Sequence, residues 1–255
     1  MELNPALSEL IGAIIGDGNM YFSSKHKKYY FEITGDKHLD KDYLIYLCKL
    51  IQKLFNKKLK LYIRGRGLRL RFYSKEILLF LKEDLKMHTG AGKSLNVKIP
   101  KLILKNKELM KFCVRGLFDT DGSFFLCNKG YRKDYPCIEL GTCSDNLAFQ
   151  IKDFFINNDF IIGFRKDIRT CYTRGHRYVI SFNGDSMVSK YVSEIGFSNP
   201  RHNKKLFKLN TIMTKKGLSN WGSFKSEKTF KTKRSSAREG LRSSAKESLV
   251  TSKFA

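Results

Sequence analysis

Two apolar stretches of this chain close on the same pair of residues. LIGAIIGDG at 10–18 and VRGLFDTDG at 114–122 match at Gly12 and Gly116, at Asp17 and Asp121, and at Gly18 and Gly122. Such a repeat constrains the fold more than any local propensity, because whatever unit the first copy opens, the second must open too. The flanking sequence obeys this. After the first copy, NMYFSSKHKKYYFEIT reads as a β-hairpin with a basic turn. Positions 39–55 read as a helix with Leu44, Leu47, Ile51 and Leu54 on one face, behind Asp36 or Asp40 as a cap. KLKLYIRGRGLRLRFYS is a second hairpin turning at 64–67, and Ser74 can cap a helix over KEILLFLKEDL. Past a connector at 87–100 the order recurs from Leu109, with the hairpin SFFLCNKGYRKDYPCIELG, a helix NLAFQIKDFFINN behind Ser144, a strand pair FIIGFRKDIR and RYVISFNG, and a helix at 185–195. The expected fold class is α+β: two pseudo-symmetric αββαββα subdomains at 1–95 and 96–200, then a basic C-terminal extension at 201–255.

Charge narrows the partner. The chain carries 49 Lys+Arg against 24 Asp+Glu, a net +25, which favours a polyanion, nucleic acid before a membrane surface. Segment 201–255 holds 15 Lys/Arg and 3 Glu, so the first 200 residues keep +13 of that charge and are basic without their tail. KKLFKLNTIMTKK fits one more basic helix; beyond 217 too few apolar residues remain to offset chain entropy, and disorder is expected. No run approaches the ~20 apolar residues of a spanning helix, and MELNPALSEL lacks a signal-peptide pattern, so a soluble intracellular protein is expected. Cysteines at 48, 113, 127, 137, 143 and 171 form no CxxC pair and read as reduced packing residues. Histidines at 26, 38, 88, 176 and 202 lie in charged, loop-like surroundings, with no Gly-x-Ser-x-Gly elbow and no Walker pattern, which disfavours Ser-His-Asp or Cys-His hydrolysis and ATP use.

The repeated acids carry the chemistry. A glycine inside a helix costs about 1 kcal/mol relative to alanine, and close approach of two helix backbones through Gly12 and Gly116 supplies a reason for it. That packing sets Asp17 and Asp121 side by side at two helix C-termini, where each other's charge and the helix dipoles repel them. A divalent cation removes the repulsion. Carboxylate and carbonyl oxygens suit Mg²⁺, which keeps waters and adds substrate phosphate oxygens, so a basic protein with this centre reads as a nuclease. The competing reading is local: Asp-Gly is a common turn signal, and glycines at 18 and 122 could be ordinary helix C-caps.

Both stretches resemble the motif of the LAGLIDADG homing endonucleases, in the form with two motifs on one chain, over roughly residues 5–200. Lys98-Ile99-Pro100, GLFDTDGSFF at 116–125 and ITGDKHLDKDYL support the resemblance, while the first copy departs from the family name at Ala13 and Ile15. The resemblance implies saddle-shaped antiparallel sheets along the DNA major groove and a helix interface through Gly12 and Gly116. It further implies Asp17 and Asp121 as catalytic Mg²⁺ or Mn²⁺ ligands, with the carbonyls of Gly16 and Thr120 as co-ligands. The implied product is a double-strand break with short 3′ overhangs in a long asymmetric target, cut by a monomer. Lys75, after the last strand of the first half, fits the family's place for a basic helper. The second half has no lysine at the matching place near Asn183-Gly184, and Lys129 is the fallback.

Strand alternation shows which side chains could face a groove. Leu68, Leu70 and Phe72 fall on one side of LRLRF and Arg69 and Arg71 on the other, mirrored by Lys58, Lys60, Tyr62 and Arg64. With Tyr21 and Tyr30 and the hairpin residues Lys25, Lys28, Arg66, Lys129, Arg132, Lys133, Arg165, Arg169, Arg174 and Arg177, they make up the expected DNA-binding set. The alternative reading is a binding protein on the same scaffold without cleavage: an intron maturase gripping intron RNA, or a nucleic-acid-binding regulator. An intein core is disfavoured, because no splicing block flanks the repeat between Met1 and the terminal SLVTSKFA.

Overall fold

Asn4 accepts a hydrogen bond from the Leu7 amide (2.9 Å) and Pro5 takes the first helical position, so the first apolar stretch starts as a capped helix, α1 (Pro5–Ile15). The computed structural model describes residues 1–168 and 175–215. The first half continues with β1 (Gly18–Ser23), β2 (Lys28–Asp36), α2 (Lys41–Phe55), β3 (Tyr62–Arg64), β4 (Gly67–Tyr73) and α3 (Lys75–Leu79), which runs on as a π-helical turn at Phe80–Asp84. Two short helices, α4 (Lys93–Asn96) and α5 (Lys101–Leu104), lie in the connector. The second half is α6 (Lys107–Thr120), β5 (Gly122–Cys127), β6 (Tyr135–Thr142), α7 (Asp145–Ile156), β7 (Gly163–Ile168), β8 (His176–Asn183) and α8 (Gly184–Glu194), followed by α9 (Pro200–Lys215). Both sheets are antiparallel and share one topology, β1-β2-β4-β3 and β5-β6-β8-β7. The α+β reading and the αββαββα order are both observed. Arg169, Cys171, Arg174 and the segment expected to be disordered lie outside the described residues.

Each sheet buries one face. Phe31, Ile33, Leu70 and Phe72 point inward onto Leu44, Leu47 and Ile51 of α2, and Phe31 stacks on its register partner Phe72 with centroids 5.2 Å apart. In the second half Phe124, Ile138, Leu140, Ile180 and Phe182 meet Leu147, Ile151 and Phe155 of α7 and Tyr191 of α8. Strand alternation therefore sorts the side chains as the sequence pattern predicts. The strand predicted through KLKLYIR is shorter, since only Tyr62–Arg64 pair, opposite Gly67–Arg69, and Lys58 and Lys60 precede the ladder.

The two halves meet along α1 and α6. A Cβ on Gly12 would stand 1.9 Å from the Cys113 carbonyl oxygen, and one on Gly116 2.0 Å from that of Glu9, so each glycine seats the other helix's backbone. Neither Gly18 nor Gly122 has a positive φ. These two are not left-handed caps; a Cβ there would strike Ile14 or Phe118 of the preceding helix at 2.5 and 2.3 Å, because β1 and β5 turn back tightly against it. Gly116→Ala should separate α1 from α6 and cost about 3 kcal/mol or more, the upper range for overpacking. A thermal melt in which this variant matches wild type would refute the close approach.

The segments that follow each half cross to the other. Ser144 Oγ donates to Val97 O (2.6 Å) and the Gln150 side chain pairs with both backbone groups of Ile99, tying the first connector to α7. In return Arg201 and Lys204 of α9 pair with Asp40 (3.0 Å) and Asp42 (3.5 Å) at the start of α2. The five described cysteines are free thiols, as expected, although Cys127 and Cys137 bring their sulfurs within 3.3 Å across β5 and β6.

Candidate metal centre and nucleic-acid interface

The crossing of α1 and α6 delivers Asp17 and Asp121 to one place. A Cβ built on Gly16 would fall 2.0 Å from Thr120 Oγ1 and 3.3 Å from Asp121 Oδ2, so the residue before the first acid lies against the second. Both side chains remain open to solvent, yet protein atoms crowd around them closely enough that partial desolvation is the first cause raising their pKa values. Asp17 rises to about 6, with Asp121 and then Asp40 adding repulsion, while Lys93 and Arg201 oppose the rise. Asp121 is also raised, against the pull of Lys93 and Arg177.

Between the acids stands a residue that the pattern of strands and helices did not mark. Lys93, the first residue of α4, donates from Nζ to the carbonyls of Gly16 and Gly18. Burial lowers its pKa while Asp121 and Asp17 hold it up. Its ammonium is a cation at the oxygens a divalent metal would use, including the Gly16 carbonyl expected as a co-ligand. Lys75, the expected helper, is exposed, with Nζ 5.8 Å from the Tyr29 ring centroid, and it is not among the charges that shift Asp121. Thr120 turns its hydroxyl back to the carbonyls of Leu117 (2.9 Å) and Gly116 (3.2 Å). Sequence reasoning missed Lys93 because its segment, GAGKSLNVKIP, has no periodicity and comes near the acids only through the fold.

The donor set suits a hard cation: two carboxylates of raised pKa and backbone carbonyls, with the Lys93 ammonium engaging those of Gly16 and Gly18 in its place. Among the described residues no group of three or more His, Cys, Asp or Glu side chains is assembled, so a cation here would complete its shell with carbonyls, waters and phosphate oxygens. The other acid of the second motif serves otherwise. Asp119, the counterpart of Ile15, is fully buried and accepts the amides of Ser198 (3.0 Å) and Asn199 (2.9 Å), and burial raises its pKa to about 8. It anchors the turn into α9.

The outer faces of the sheets are basic and aromatic. On the first sheet Tyr21 stacks on Tyr30 at 5.2 Å, Arg71 lies 4.5 Å above Tyr30, and Arg69 and Arg71 both reach Glu32. Lys25, Lys28, Lys60, Arg64 and Arg66 are exposed around it. On the second sheet Arg165 pairs with Glu139 (3.5 Å) and Asp167 (3.3 Å), Lys133 is exposed, and Lys129 Nζ stands 5.6 Å from the Tyr135 ring. Two expected hairpin-tip cations are engaged in the fold. Arg132 pairs with Asp185 of α8, and Arg177 lies over Gly141, close enough for its charge to act on Asp121.

Two halves of one topology, joined by a pair of glycine-packed helices that end in adjacent carboxylates, make the fold of the single-chain LAGLIDADG homing endonucleases. Among solved structures, I-DmoI in complex with DNA and Ca is similar at TM-score 0.56 and 18% identity, over 80% of this chain and 97% of that one. I-SmaMI bound to uncleaved DNA target in the presence of calcium ions is similar at TM-score 0.52 and 14% identity, over 85% and 93%. I-DmoI in complex with DNA and Mn gives 0.55 and 18%, over 76% and 97%. No family model matches the chain, and no curated protein matches it by sequence. At these identities the likeness establishes the fold. Among the described residues no helix is long and apolar enough to cross a membrane.

Proposed function

We propose that this protein is a site-specific DNA endonuclease that, as a monomer, cuts both strands of a long asymmetric duplex target with a divalent metal, Mg²⁺ or Mn²⁺, leaving short 3′ overhangs. One observation carries the reading: Gly12 and Gly116 pack α1 on α6 so closely that Asp17 and Asp121 share one solvent-open place. Similarity to structures solved with DNA and metal supports it. Asp17 and Asp121 would hold the cation, each serving one strand. The chemistry a cation supplies there is a bound water of lowered pKa and charge neutralisation at the leaving oxygen. Lys93 keeps two carboxylates tolerable side by side before substrate arrives and presents a positive charge where a phosphate would enter. Arg177, at the start of β8, gives the second half a cation near Asp121 in place of the lysine missing near Asn183-Gly184. The basic outer faces of the two sheets would grip phosphates and base edges.

The test is incubation of the full chain with a randomised duplex library in Mg²⁺, Mn²⁺, Ca²⁺ or EDTA. Double-strand cutting at one recurrent sequence, present with Mg²⁺ or Mn²⁺ and absent in EDTA, is expected. Binding without cutting in every metal would overturn the reading and leave a recognition protein on this scaffold.

A further inference from the structure

The two sheets place a glutamate at one equivalent position. Glu32 pairs in register with Asn19, two residues beyond Asp17, and Glu139 pairs with Ser123, two residues beyond Asp121. Both lie on the outer face, next to the cleavage centre. Their surroundings differ. Across from Glu32 the next strand supplies Arg71, with Arg69 two pairs further along; across from Glu139 it supplies Ser181, then Val179, and the guanidinium that reaches Glu139 is that of Arg165 on the edge strand, at 3.5 Å.

Around Glu32 the two arginines are not equivalent. Arg71 commits Nε (2.7 Å) and Nη2 (2.6 Å) to Glu32 Oε2 and Nη1 to Tyr73 Oη (3.0 Å), and it lies over the Tyr30 ring. Tyr62 also donates to Oε2. Arg69 gives one bond, Nη1 to Glu32 Oε1 (2.7 Å), and its Nε is buried with no partner. The carboxylate is saturated by its neighbours and has little capacity left for a base. Arg71 commits three of its five N–H donors to this cluster. Arg69 commits one and buries its Nε, which leaves the remaining N–H donors of its two Nη atoms on a guanidinium whose direction is set from one side.

We propose that Glu32 is a positioning residue for DNA specificity: braced by Arg71 and Tyr62, it aims Arg69 at a guanine in the half-site gripped by the first sheet. In the second half Ser181 and Val179 take the matching places, and the arginine beside Glu139 is Arg165 of β7, more exposed and divided between Glu139 and Asp167. This deepens the endonuclease reading and rests on it. Guanidinium pairing with guanine O6 and N7 is the commonest specific major-groove contact, and it discriminates only if the planar fork is held in the base plane. A single carboxylate contact on one side gives it that orientation without occupying the remaining donors. The two half-sites are therefore faced by differently held arginines, Arg69 braced closely by Glu32 on one side and Arg165 shared by two carboxylates on the other.

Binding selection from a randomised duplex library in Ca²⁺, followed by sequencing, tests this with full-length wild type, Glu32→Gln, Arg69→Lys and Arg71→Lys. Wild type should select a guanine in one half-site close to the centre. Glu32→Gln and Arg69→Lys should each relax that position by about ten-fold, within the range of one bidentate base contact, and leave the other half-site's preferences unchanged. Arg71→Lys should keep the base identity with a smaller loss. A general loss of stability would flatten both half-sites together and overturn the positioning role. An unchanged consensus in Glu32→Gln and Arg69→Lys overturns this proposal alone, whereas a wild type that selects no sequence overturns it together with the endonuclease reading.

Discussion

Asp17→Asn and Asp121→Asn should each lower double-strand cleavage by about 10³-fold or more while leaving DNA binding in Ca²⁺ intact. The magnitude follows from what each acid does. An amide offers a neutral oxygen where a hard divalent cation needs a charged one, so the exchange weakens the metal and removes charge from the place where the leaving oxygen must be stabilised. Binding is spared because the affinity comes from the basic faces of both sheets, and losing a negative charge beside the incoming phosphates favours association. Folding should also be spared or improved: both carboxylates have raised pKa values, so the native state holds their charge at a cost that the amide does not incur. The assay is single-turnover cutting of the selected target, with gel-shift binding in parallel. Either variant cutting both strands at the wild-type rate would remove the paired acids from the mechanism.

Lys93→Met should be the next largest loss, about 10²-fold in cleavage rate with little change in DNA affinity. Methionine keeps the length and apolar body of the side chain but abandons the Gly16 and Gly18 carbonyls and the counter-charge between the acids. The sign of its effect on the neighbours is fixed. Lys93 lowers the pKa of both Asp17 and Asp121, so its removal moves both upward. A proton then competes better with the metal at neutral pH, and the Mg²⁺ concentration for half-maximal cutting should rise, with the rise largest at low pH and shrinking as pH increases. Lys75→Met, which leaves the Lys93 contacts with the Gly16 and Gly18 carbonyls in place, is the comparison. Equal losses in the two variants would return the helper role to general charge on the surface and withdraw it from Lys93.

How much of the site was legible depends on how local its causes are. Gly12, Gly116, Asp17 and Asp121 could be named from the repeat, because a duplicated spacing records a symmetric contact even when the contact is unseen. The face of β4 could be named as well, since alternation over Leu68–Phe72 is a property of the extended chain. Lys93 could not. It lies in an aperiodic connector, and its closeness to Gly16, 77 residues earlier, comes from the path of that connector across the junction of the halves. Arg132 and Arg177 show the reverse failure: both looked like free hairpin cations, and packing engages the first with Asp185 and lays the second over Gly141.

The sequence by itself determined the duplicated αββαββα order, the buried face of each sheet, the pair of helices that join the halves and the two acids at their ends. These follow from periodicity, capping and repetition, which act between residues close in the chain. Only the tertiary structure decided which cations serve the acids, that Asp119 anchors the turn into α9 while Asp121 stays open to solvent, and that Glu32 binds Arg71 fully and Arg69 partly. Charge and hydrogen bonding act over a few ångströms in space, and the backbone path that brings such groups within reach is set by the packing of the two halves.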